Sequence, residues 1–357
     1  MPEQMTPCER MLAAINHQPV DRIPTDIWAV PEVWAKLKAH FGPDADLGAI
    51  LHIDGMAGAG AKYVGPPMPD LGPDENVDYW GVRRRKMIYQ GGEYWEFSGH
   101  PLAAAQTIDD LEAFNWPRTE WFDYSGVGPA LQAHQRRKLT QVGYMAPFYF
   151  HLQLRGLEQS LMDPLVEPEF TQHLVRRITG FFLAHHRRLF EAGDGWIDTT
   201  QVTDDLGMQT GPMISLETFR AFYAPHMKRC IELARQFGIK VFHHDDGAIR
   251  LFIPDLIKLG IDVLNPIQWR CPGMEIEPLK RDFGHRLCFH GGIDNQHTLP
   301  FGTPEEVRAE VRRSIEVLAS DKTGYILAPC HNIQAITPIE NILAMYDEAW
   351  KAGAMRA

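Results

Sequence analysis

The stretch that decides the fold runs from residue 239 to residue 267 and reads IKVFHHDDGAIRLFIPDLIKLGIDVLNPI. It begins and ends with short apolar runs, residues 239–244 and 263–267, and both runs stop at polar residues. Such runs are typical of buried parallel strands. Residues 245–262 separate the two runs, and this connection is longer than the roughly dozen residues that a parallel crossover needs. The stretch therefore predicts two parallel strands with a crossover between them.

Runs of the same kind recur along the chain and set the number of strands. The other clear runs, a probable first strand and one weak strand lie at residues 139–145, 196–202, 287–290, 325–327, 23–30 and 53–61. Together with the two runs above they make eight predicted strands. Eight parallel strands are the number that closes a TIM barrel.

The segments between these runs carry helix-start signals. Thr6, Thr303 and Thr337 are each followed by proline and, three residues later, by glutamate, which predicts a capping box with proline in the first turn. Strands that alternate with helices predict the α/β class. The predicted fold is a (β/α)8 TIM barrel with N-terminal helical and hairpin additions, formed by residues 1–357 as a single domain. A doubly wound open sheet is the alternative, and the lack of a GxGxxG motif after the first strand disfavours it.

Composition excludes several classes of protein. The 357 residues include 35 Lys and Arg against 46 Asp and Glu, a net charge of −11, which disfavours binding to the phosphates of nucleic acid. No stretch approaches the roughly 18 apolar residues of a membrane span, and the first residues lack the apolar core of a signal peptide. The five cysteines have no CxxC spacing, which is typical of reduced thiols. The sequence therefore predicts a cytoplasmic protein that binds neither nucleic acid nor membrane.

Polar side chains follow the predicted strands, where a barrel places its reactive groups. His244 and Asp246 lie two residues apart and share one face of a strand, and His331 follows the last predicted strand. Three nitrogen and oxygen ligands with an open position form a catalytic zinc site. The alternatives are a buried histidine beside a helix-capping Asp246, or an acid/base pair without metal. Cys330 is the competing ligand to His331, and otherwise a small buried apolar side chain.

Further candidates lie at the same predicted mouth. Asp204 and Asp205 form a pair in which one carboxyl would have a raised pKa and serve as general acid, unless one of them caps a turn. Asp294 follows two glycines that form either a tight turn or a small anion-binding nest. The candidate substrate-binding residues are aromatic or polar: Trp28, Tyr149, Asn265, Gln268 and Asp294.

In these residues and in further motifs, the chain resembles the uroporphyrinogen decarboxylase superfamily. That superfamily also contains zinc-dependent methyltransferases that act on methylated corrinoids or thiol coenzymes. The resemblance runs nearly end to end and implies a TIM barrel. Its motifs are Glu9-Arg10, Asp21-Arg22-Ile23-Pro24, Asp78 to Gly81, His100-Pro101-Leu102, Arg155-Gly156, Ser215 with Phe219, Gly260-Ile261-Asp262, Asn265-Pro266, Phe289 to Asp294 and Pro338-Ile339-Glu340-Asn341-Ile342.

Two departures from the family pattern decide between its activities. The decarboxylase has an arginine-rich loop after its first strand, whereas Trp28 is followed here by Ala-Val-Pro-Glu. The acids at the mouth would also repel a polycarboxylate, and the only nearby cations are Arg155, Arg250 and Arg270. In the methyltransferases an H-x-C pair and a last-strand cysteine bind zinc; the corresponding residues here are His244, Asp246 and either His331 or Cys330. This set implies a divalent metal, with zinc the first choice.

The leading hypothesis is therefore a metal-assisted methyltransferase that moves a methyl group between a small methoxylated or thiol compound and a corrinoid. His244, Asp246 and His331 would hold the metal or the reacting oxygen, and Asp205 with Asp204 would be the acid/base. A corrinoid protein is the expected partner, and a homodimer is common on this fold. The alternative is a cofactor-free decarboxylase that acts on a less anionic substrate. A third reading is a barrel without catalysis that binds a tetrapyrrole or corrinoid.

Overall fold

A curled parallel sheet lies at the centre of the computed structural model, which describes residues 3–89 and 92–354. The strands, in chain order, are β1 (Met56–Ala57), β2 (Lys62–Tyr63), β3 (Glu75–Val77), β4 (Arg83–Tyr89), β5 (Gly92–Gly99), β6 (Phe122–Asp123), β7 (Leu139–Met145), β8 (Thr199–Val202), β9 (Lys240–His244), β10 (Val263–Asn265), β11 (Cys288–Ile293) and β12 (Tyr325–Pro329). The central sheet has the order β1-β7-β8-β9-β10-β11-β12, and each neighbouring pair is parallel.

The predicted first strand closes this sheet into a barrel. Thr25 and Ala29 form isolated parallel bridges with Leu327 and Ile333, at and beyond β12. On the other side, the amides of Asp54 and Gly55 donate to the carbonyl oxygen of Thr25. The segment thus completes the ring of eight predicted strands and confirms the TIM-barrel prediction. It pairs through bridges and not as a regular strand, and the weak strand predicted within residues 53–61 is reduced to β1.

Helices surround the barrel and follow most of its strands. They are α1 (Pro7–Ile15), α2 (Pro31–Phe41), α3 (Leu47–Ile50), α4 (Ile108–Ala113), α5 (Val127–Gln132), α6 (Pro147–Arg155), α7 (Leu157–Val166), α8 (Pro168–Gly193), α9 (Leu216–Thr218), α10 (Ala224–Gln236), α11 (Ile253–Leu259), α12 (Ile276–Phe283), α13 (Thr298–Phe301), α14 (Pro304–Leu318) and α15 (Ile339–Ala352), with a 3-10 turn at Thr119–Trp121 and a π-helical turn at Phe219–Tyr223. Within the described ranges, no helix combines the length and the apolar character that crossing a bilayer requires.

The predicted N-terminal additions are both present. Helix α1 packs its buried Met11 and Ala14 into a cluster that includes Phe242 and Ile326 from the inside of the barrel. The Cys8 thiol on this helix lies 3.9 Å from a carboxylate oxygen of Asp198, the residue just before β8, so α1 covers the end of the barrel where the strands begin. The predicted hairpin is the antiparallel sheet β3-β4-β5. Because α1 closes one end, the chemistry has only the opposite end available.

Two of the three predicted capping boxes are confirmed. The hydroxyls of Thr6 and Thr303 accept from the amides three residues later, and both partner glutamates return the bond. The box predicted at Thr337 is wrong, because α15 begins at Ile339 with Pro338 as its N-cap. Glu340 is then the second helical residue and not the third, the position from which a carboxylate reaches back. The Thr337 hydroxyl is buried with no hydrogen-bond partner in the described part of the chain.

This contrast gives a matched pair of variants. We expect Thr303→Ala to lower the free energy of unfolding by about 1 kcal/mol, because it removes the side-chain acceptor at the start of α14. Thr337→Ala removes a buried hydroxyl that makes no bond, and we expect a change of less than about 0.5 kcal/mol. Urea unfolding of both variants measures the difference. Equal losses in the two variants would contradict the assignment of the caps.

Candidate active site

Three side chains that could ligate a metal, called here the metal-ligating group, meet where the barrel strands end. His244 is the last residue of β9, Asp246 follows it in the next loop, and His331 lies just after β12. The Nε2 atoms of His244 and His331 each lie 3.8 Å from Oδ2 of Asp246. One potential ligand atom from each residue lies within 4.8 Å of the others. Donors around a tetrahedral zinc ion are roughly 3.4 Å apart, so small side-chain rotations bring this set to ligand distance.

The chemistry of the donor set also fits a divalent cation. Two imidazole nitrogens and a carboxylate oxygen are ligands that zinc takes in catalytic sites. Oδ1 of Asp246 is buried and accepts no hydrogen bond from the described residues, so it retains lone pairs for a ligand. The three residues predicted from the sequence are thus brought together, with the open side of the group toward the mouth.

Cys330 is placed outside this group. Its Sγ donates to the carbonyl oxygen of Ile267 at 3.1 Å, and the residue is 2% exposed. Burial raises the pKa of the Cys330 thiol well above its ordinary value, and the charges of Asp294 and Glu310 add to this. Since only the thiolate binds metal, the environment favours the alternative noted above for Cys330, a small buried side chain.

A row of hydrogen bonds leads from His244 into the barrel. Nδ1 of His244 lies 2.6 Å from Oδ1 of Asn265, and Nδ2 of Asn265 lies 2.7 Å from Nδ1 of His290. Nε2 of His290 lies 3.0 Å from Oδ2 of Asp26, which also accepts from the indole N–H of Trp28 at 3.1 Å. The two ends of the Asn265 amide are therefore both occupied by imidazoles, and not directed at the open mouth.

Aromatic rings line one side of the mouth. The Trp28 ring lies 5.4 Å from the ring of His244 and 6.4 Å from that of His331, measured between centroids. Tyr149, on α6, is half-buried and packs edge-on against Tyr144 at 6.4 Å. Burial raises the pKa of Tyr149 to about 12, so its phenol stays neutral. Both predicted aromatic residues, Trp28 and Tyr149, are at the mouth.

The two carboxyls of the Asp204–Asp205 pair have different surroundings. Asp204 is buried, and its Oδ1 accepts from the amide of Tyr149 at 2.8 Å. Burial raises its pKa well above the ordinary value, with the charges of Asp245 and Asp205 adding to the shift. Asp205 is only half-buried; burial also raises its pKa, the charge of Asp246 adds to this and His244 opposes it. Both carboxyls can therefore hold a proton, and Asp205 is the accessible one of the pair, close to His244 and Asp246.

The antiparallel sheet lies across the mouth, a position that the sequence did not reveal. The Tyr89 hydroxyl on β4 donates to Oε1 of Gln334 at 3.2 Å, and Gln334 follows β12. The Phe97 ring on β5 packs 6.2 Å from that of Tyr149 at the mouth. Tyr94 on the same strand is more than half exposed, and its pKa is raised by partial burial and by the charges of Glu96, Asp205 and Asp246. Tyr94 was missed because only the packing of the sheet on the barrel brings it there, and no local pattern encodes that packing.

Gln268 and Asp294 bond to the protein's own backbone. Oε1 of Gln268 accepts from the amide of Gly247 in the loop that carries Asp246. Asp294 accepts from the amides of Gln296, His297 and Thr298, and forms an ion pair with Arg270 at 2.6 Å. Asp294 thus caps the turn before α13. The two glycines before it lie within strand β11, so they form neither the tight turn nor the anion-binding nest that the sequence suggested.

The capping role of Asp294 predicts that its contribution to stability depends on pH. Burial would raise the pKa of Asp294, but the amides of Gln296 and Thr298 and the Arg270 guanidinium outweigh it, and the net shift is downward. A carboxylate with a lowered pKa stabilises the fold above its unfolded pKa of about 4, and this contribution is lost as pH falls through the folded value. We expect Asp294→Ala to cost about 1–3 kcal/mol at neutral pH. Urea unfolding across pH measures this, and a cost that does not shrink in acid would contradict it.

The three arginines that could have held a polycarboxylate are all paired. Arg155 bonds to Asp163 at 2.8 Å, Arg250 bonds to Asp282, and Arg270 bonds to Asp294. Their positive charges are compensated by carboxylates of the same chain. The acids that remain accessible at the mouth are the half-buried Asp205 and Asp246.

The sequence of the chain is similar to proteins of one family. Residues 127–351 match the family model described as Uroporphyrinogen decarboxylase (URO-D). A uroporphyrinogen decarboxylase of Anaeromyxobacter sp. (strain Fw109-5) is 24% identical, and the match covers 96% of this chain and 99% of that protein. A methylated-thiol–coenzyme M methyltransferase of Methanosarcina mazei is 23% identical, over 96% of this chain and 89% of that protein.

The fold has a solved counterpart. The structure of a methyltransferase from Methanosarcina mazei superposes with a TM-score of 0.69 at 18% sequence identity, and the match covers 98% of this chain and 99% of that one. At this identity the similarity establishes the architecture alone. It agrees with the barrel and its additions as described above.

Proposed function

Because the chain belongs to the uroporphyrinogen decarboxylase (URO-D) family, we propose that it is a metal-assisted methyltransferase that moves a methyl group between a small methoxylated or thiol compound and a corrinoid. The observation that carries the proposal is the group of His244, Asp246 and His331 at the barrel mouth. A methyltransferase is among the relatives that align over nearly the whole chain. The two activities in this family differ in what the mouth must bind, and the mouth here suits a metal better than a polycarboxylate.

The three residues would hold a divalent metal, with zinc the first choice for two imidazoles and a carboxylate. A bound zinc supplies a Lewis acid that polarises an oxygen or sulfur and lowers the cost of breaking or making its bond to methyl. His244 approaches through Nε2, because its Nδ1 is held by Asn265. Asp246 would offer a carboxylate oxygen: Oδ2 lies 3.8 Å from both Nε2 atoms, and Oδ1 has no partner within the described residues.

Asp205 would act as the general acid that donates a proton in the reaction. When the donor's carbon–oxygen or carbon–sulfur bond breaks, the methyl group leaves without the bonding electron pair and the acceptor supplies the pair for the new bond. The oxygen or sulfur keeps the old pair and takes up the proton that Asp205 holds. The raised pKa of Asp205 suits it to this role, since a carboxyl that stays protonated to higher pH is a useful general acid.

The walls of the mouth would select the donor. Trp28 and Tyr149 offer flat apolar surface for a small or aromatic compound. The pairing of Arg155, Arg250 and Arg270 leaves these guanidinium groups engaged with carboxylates of the protein. The arrangement thus supports a neutral methylated compound over a porphyrinogen with many carboxylates.

One observation favours the second candidate, a cofactor-free decarboxylase acting on a less anionic substrate. Decarboxylation replaces a carboxylate by a proton, and Asp205, which lies near His244 and Asp246 at the mouth, could deliver that proton without a metal. Uroporphyrinogen decarboxylases are also among the relatives that match the full length. This candidate requires neither bound metal nor a methyl acceptor.

The experiment that tests the proposal is methyl transfer with free cob(I)alamin under anaerobic conditions, using methoxylated aromatic compounds and methylated thiols as donors. We expect methylcobalamin to form with one candidate donor class and zinc to be present in stoichiometric amount. Release of carbon dioxide by metal-free protein would support the decarboxylase instead. Absence of both zinc and corrinoid reactivity would refute the methyltransferase. Addition of a corrinoid protein and light scattering of the purified chain test the proposed partner and homodimer.

A further inference from the structure

The fully buried amide of Asn265 joins a residue of the metal-ligating group to a carboxylate inside the barrel. Asn265 lies beside His244 in the register of β9 and β10, and its two amide ends contact the Nδ1 atoms of His244 and His290. His290 is also fully buried, and it continues the row to Asp26. The row therefore runs without a gap from Asp26 to His244.

The direction of each hydrogen bond follows from groups that can only accept. The Asp26 carboxylate can only accept, so Nε2–H of His290 donates to it, and in a ring that carries one proton the lone pair is at Nδ1. Nδ2 of Asn265 donates to that lone pair, and it also lies 3.4 Å from the carbonyl oxygen of His290, another pure acceptor. Both contacts give the amide the same orientation. Oδ1 of Asn265 must then accept from Nδ1–H of His244, so the lone pair of His244 is at Nε2.

We propose that Asn265 is a positioning residue that holds His244 in the Nδ1–H tautomer, with His290 and Asp26 as its anchors. The proposal rests on the proposed function, in which Nε2 of His244 binds the metal. An imidazole binds metal through its unprotonated nitrogen, and the bond made by its other nitrogen selects the tautomer and the ring orientation. Nε2 is the nitrogen that lies 3.8 Å from Asp246.

Trp28 contacts both ends of this row of hydrogen bonds from the side of the mouth. Its indole N–H donates to the Asp26 oxygen that anchors His290, and its ring packs 5.4 Å from the ring of His244. The carboxylate at the far end of the row is thereby held in place, and the imidazole at the near end has an aromatic neighbour that restricts its rotation. Asn265 thus acts through His244, and we assign it no contact with the substrate.

The first test reads the tautomer without any metal. In metal-free protein with isotope-labelled histidine, NMR shifts of the two ring nitrogens show which nitrogen of His244 carries the proton. We expect Nδ1–H in the wild type and in Asn265→Asp, which keeps an oxygen toward His244. In Asn265→Leu, which has no acceptor, we expect Nε2–H to become populated. A purely structural Asn265 would leave the tautomer unchanged in every variant that folds.

The second test measures zinc affinity by titration calorimetry. We expect Asn265→Leu to bind zinc about 10- to 100-fold more weakly than the wild type, and Asn265→Asp to stay within about threefold of it. Gln201→Leu is the matched control, because it removes a half-buried amide of another barrel strand, whose bond within the described residues is to Gln141 at 2.8 Å and not to His244. We expect its zinc affinity to equal that of the wild type. Thermal unfolding of all three variants separates affinity from stability.

The outcomes separate this proposal from the proposed function. A wild-type His244 with its proton on Nε2 would overturn the positioning role, as would an Asn265→Leu affinity within about threefold of wild type. Nδ1–H in a wild-type protein that binds no zinc would support the positioning of His244 and refute the metal-assisted methyltransferase. If Asn265→Leu fails to fold, the spectra of the wild type and Asn265→Asp still decide the tautomer.

Discussion

A His244→Ala variant is expected to lose stoichiometric zinc, with an affinity lower by about 10³-fold, and to lose methyl transfer with it. His244 supplies one of three side chains in the group, so its removal leaves Asp246 and His331 as a two-ligand site. Zinc that is held by three protein ligands is bound far more tightly than zinc held by two, since each lost ligand is replaced by water. The fold itself should persist, because the His244 side chain lies at the mouth and is 13% exposed.

Metal analysis of the purified variants and calorimetric titration with zinc measure this effect. His297→Ala is the matched control: His297 also lies beside a carboxylate, 3.4 Å from Asp294, but its side chain is 66% exposed and it is outside the three-residue group. The control should keep its zinc. Full zinc occupancy in His244→Ala would show that the metal, if bound, is held elsewhere.

Replacement of Asp205 by asparagine is expected to lower kcat for methyl transfer by about 10³-fold while zinc binding is retained. The amide has nearly the same shape as the protonated carboxyl but cannot release a proton. Burial and the charge of Asp246 raise the pKa of Asp205, so the wild type should be most active below that pKa and lose activity as pH rises through it. The variant should lose this pH dependence along with its rate.

A pH profile of kcat with one donor tests the role of Asp205. Glu96→Gln is the matched control for the loss of a negative charge near the mouth, because Glu96 is exposed on β5 and acts on the same phenol, that of Tyr94. The control should keep both the rate and the pH profile. An Asp205→Asn enzyme with the wild-type rate would exclude Asp205 as the proton donor.

The sequence predicted the parts of the fold that local patterns determine. Residues 239–267 gave two strands in the correct places, and Thr6 and Thr303 gave helix starts with the correct residue, since caps and apolar runs act within a few positions. The prediction at Thr337 was wrong because these local signals do not fix the exact residue at which a helix begins. A proline that serves as the cap moves the helix start by one residue, and the pattern of residue types alone does not show which register the chain takes.

Part of the candidate site could also be predicted, because it depends on where residues lie along the chain relative to the strand ends. His244 and Asp246 are close in the chain, although Asp246 lies in the loop after β9 and not on the strand as predicted. His331 joins them because parallel strands end at the same rim. The positioning role proposed for Asn265 could not be predicted from spacing along the sequence. Its partners, His244 and His290, lie on the two strands adjacent to its own, and only the register between strands determines which groups its amide meets.

The helix that fills the lower end of the barrel has a consequence for the order of events in catalysis. With Met11 and Ala14 packed among the interior side chains, the substrates of the proposed reaction would enter from the opposite end of the barrel. A small methyl donor and a bulky corrinoid would then share that end, and the larger molecule would block it. We therefore expect an ordered reaction, in which the small compound enters first and leaves last and an excess of corrinoid inhibits by trapping the empty enzyme.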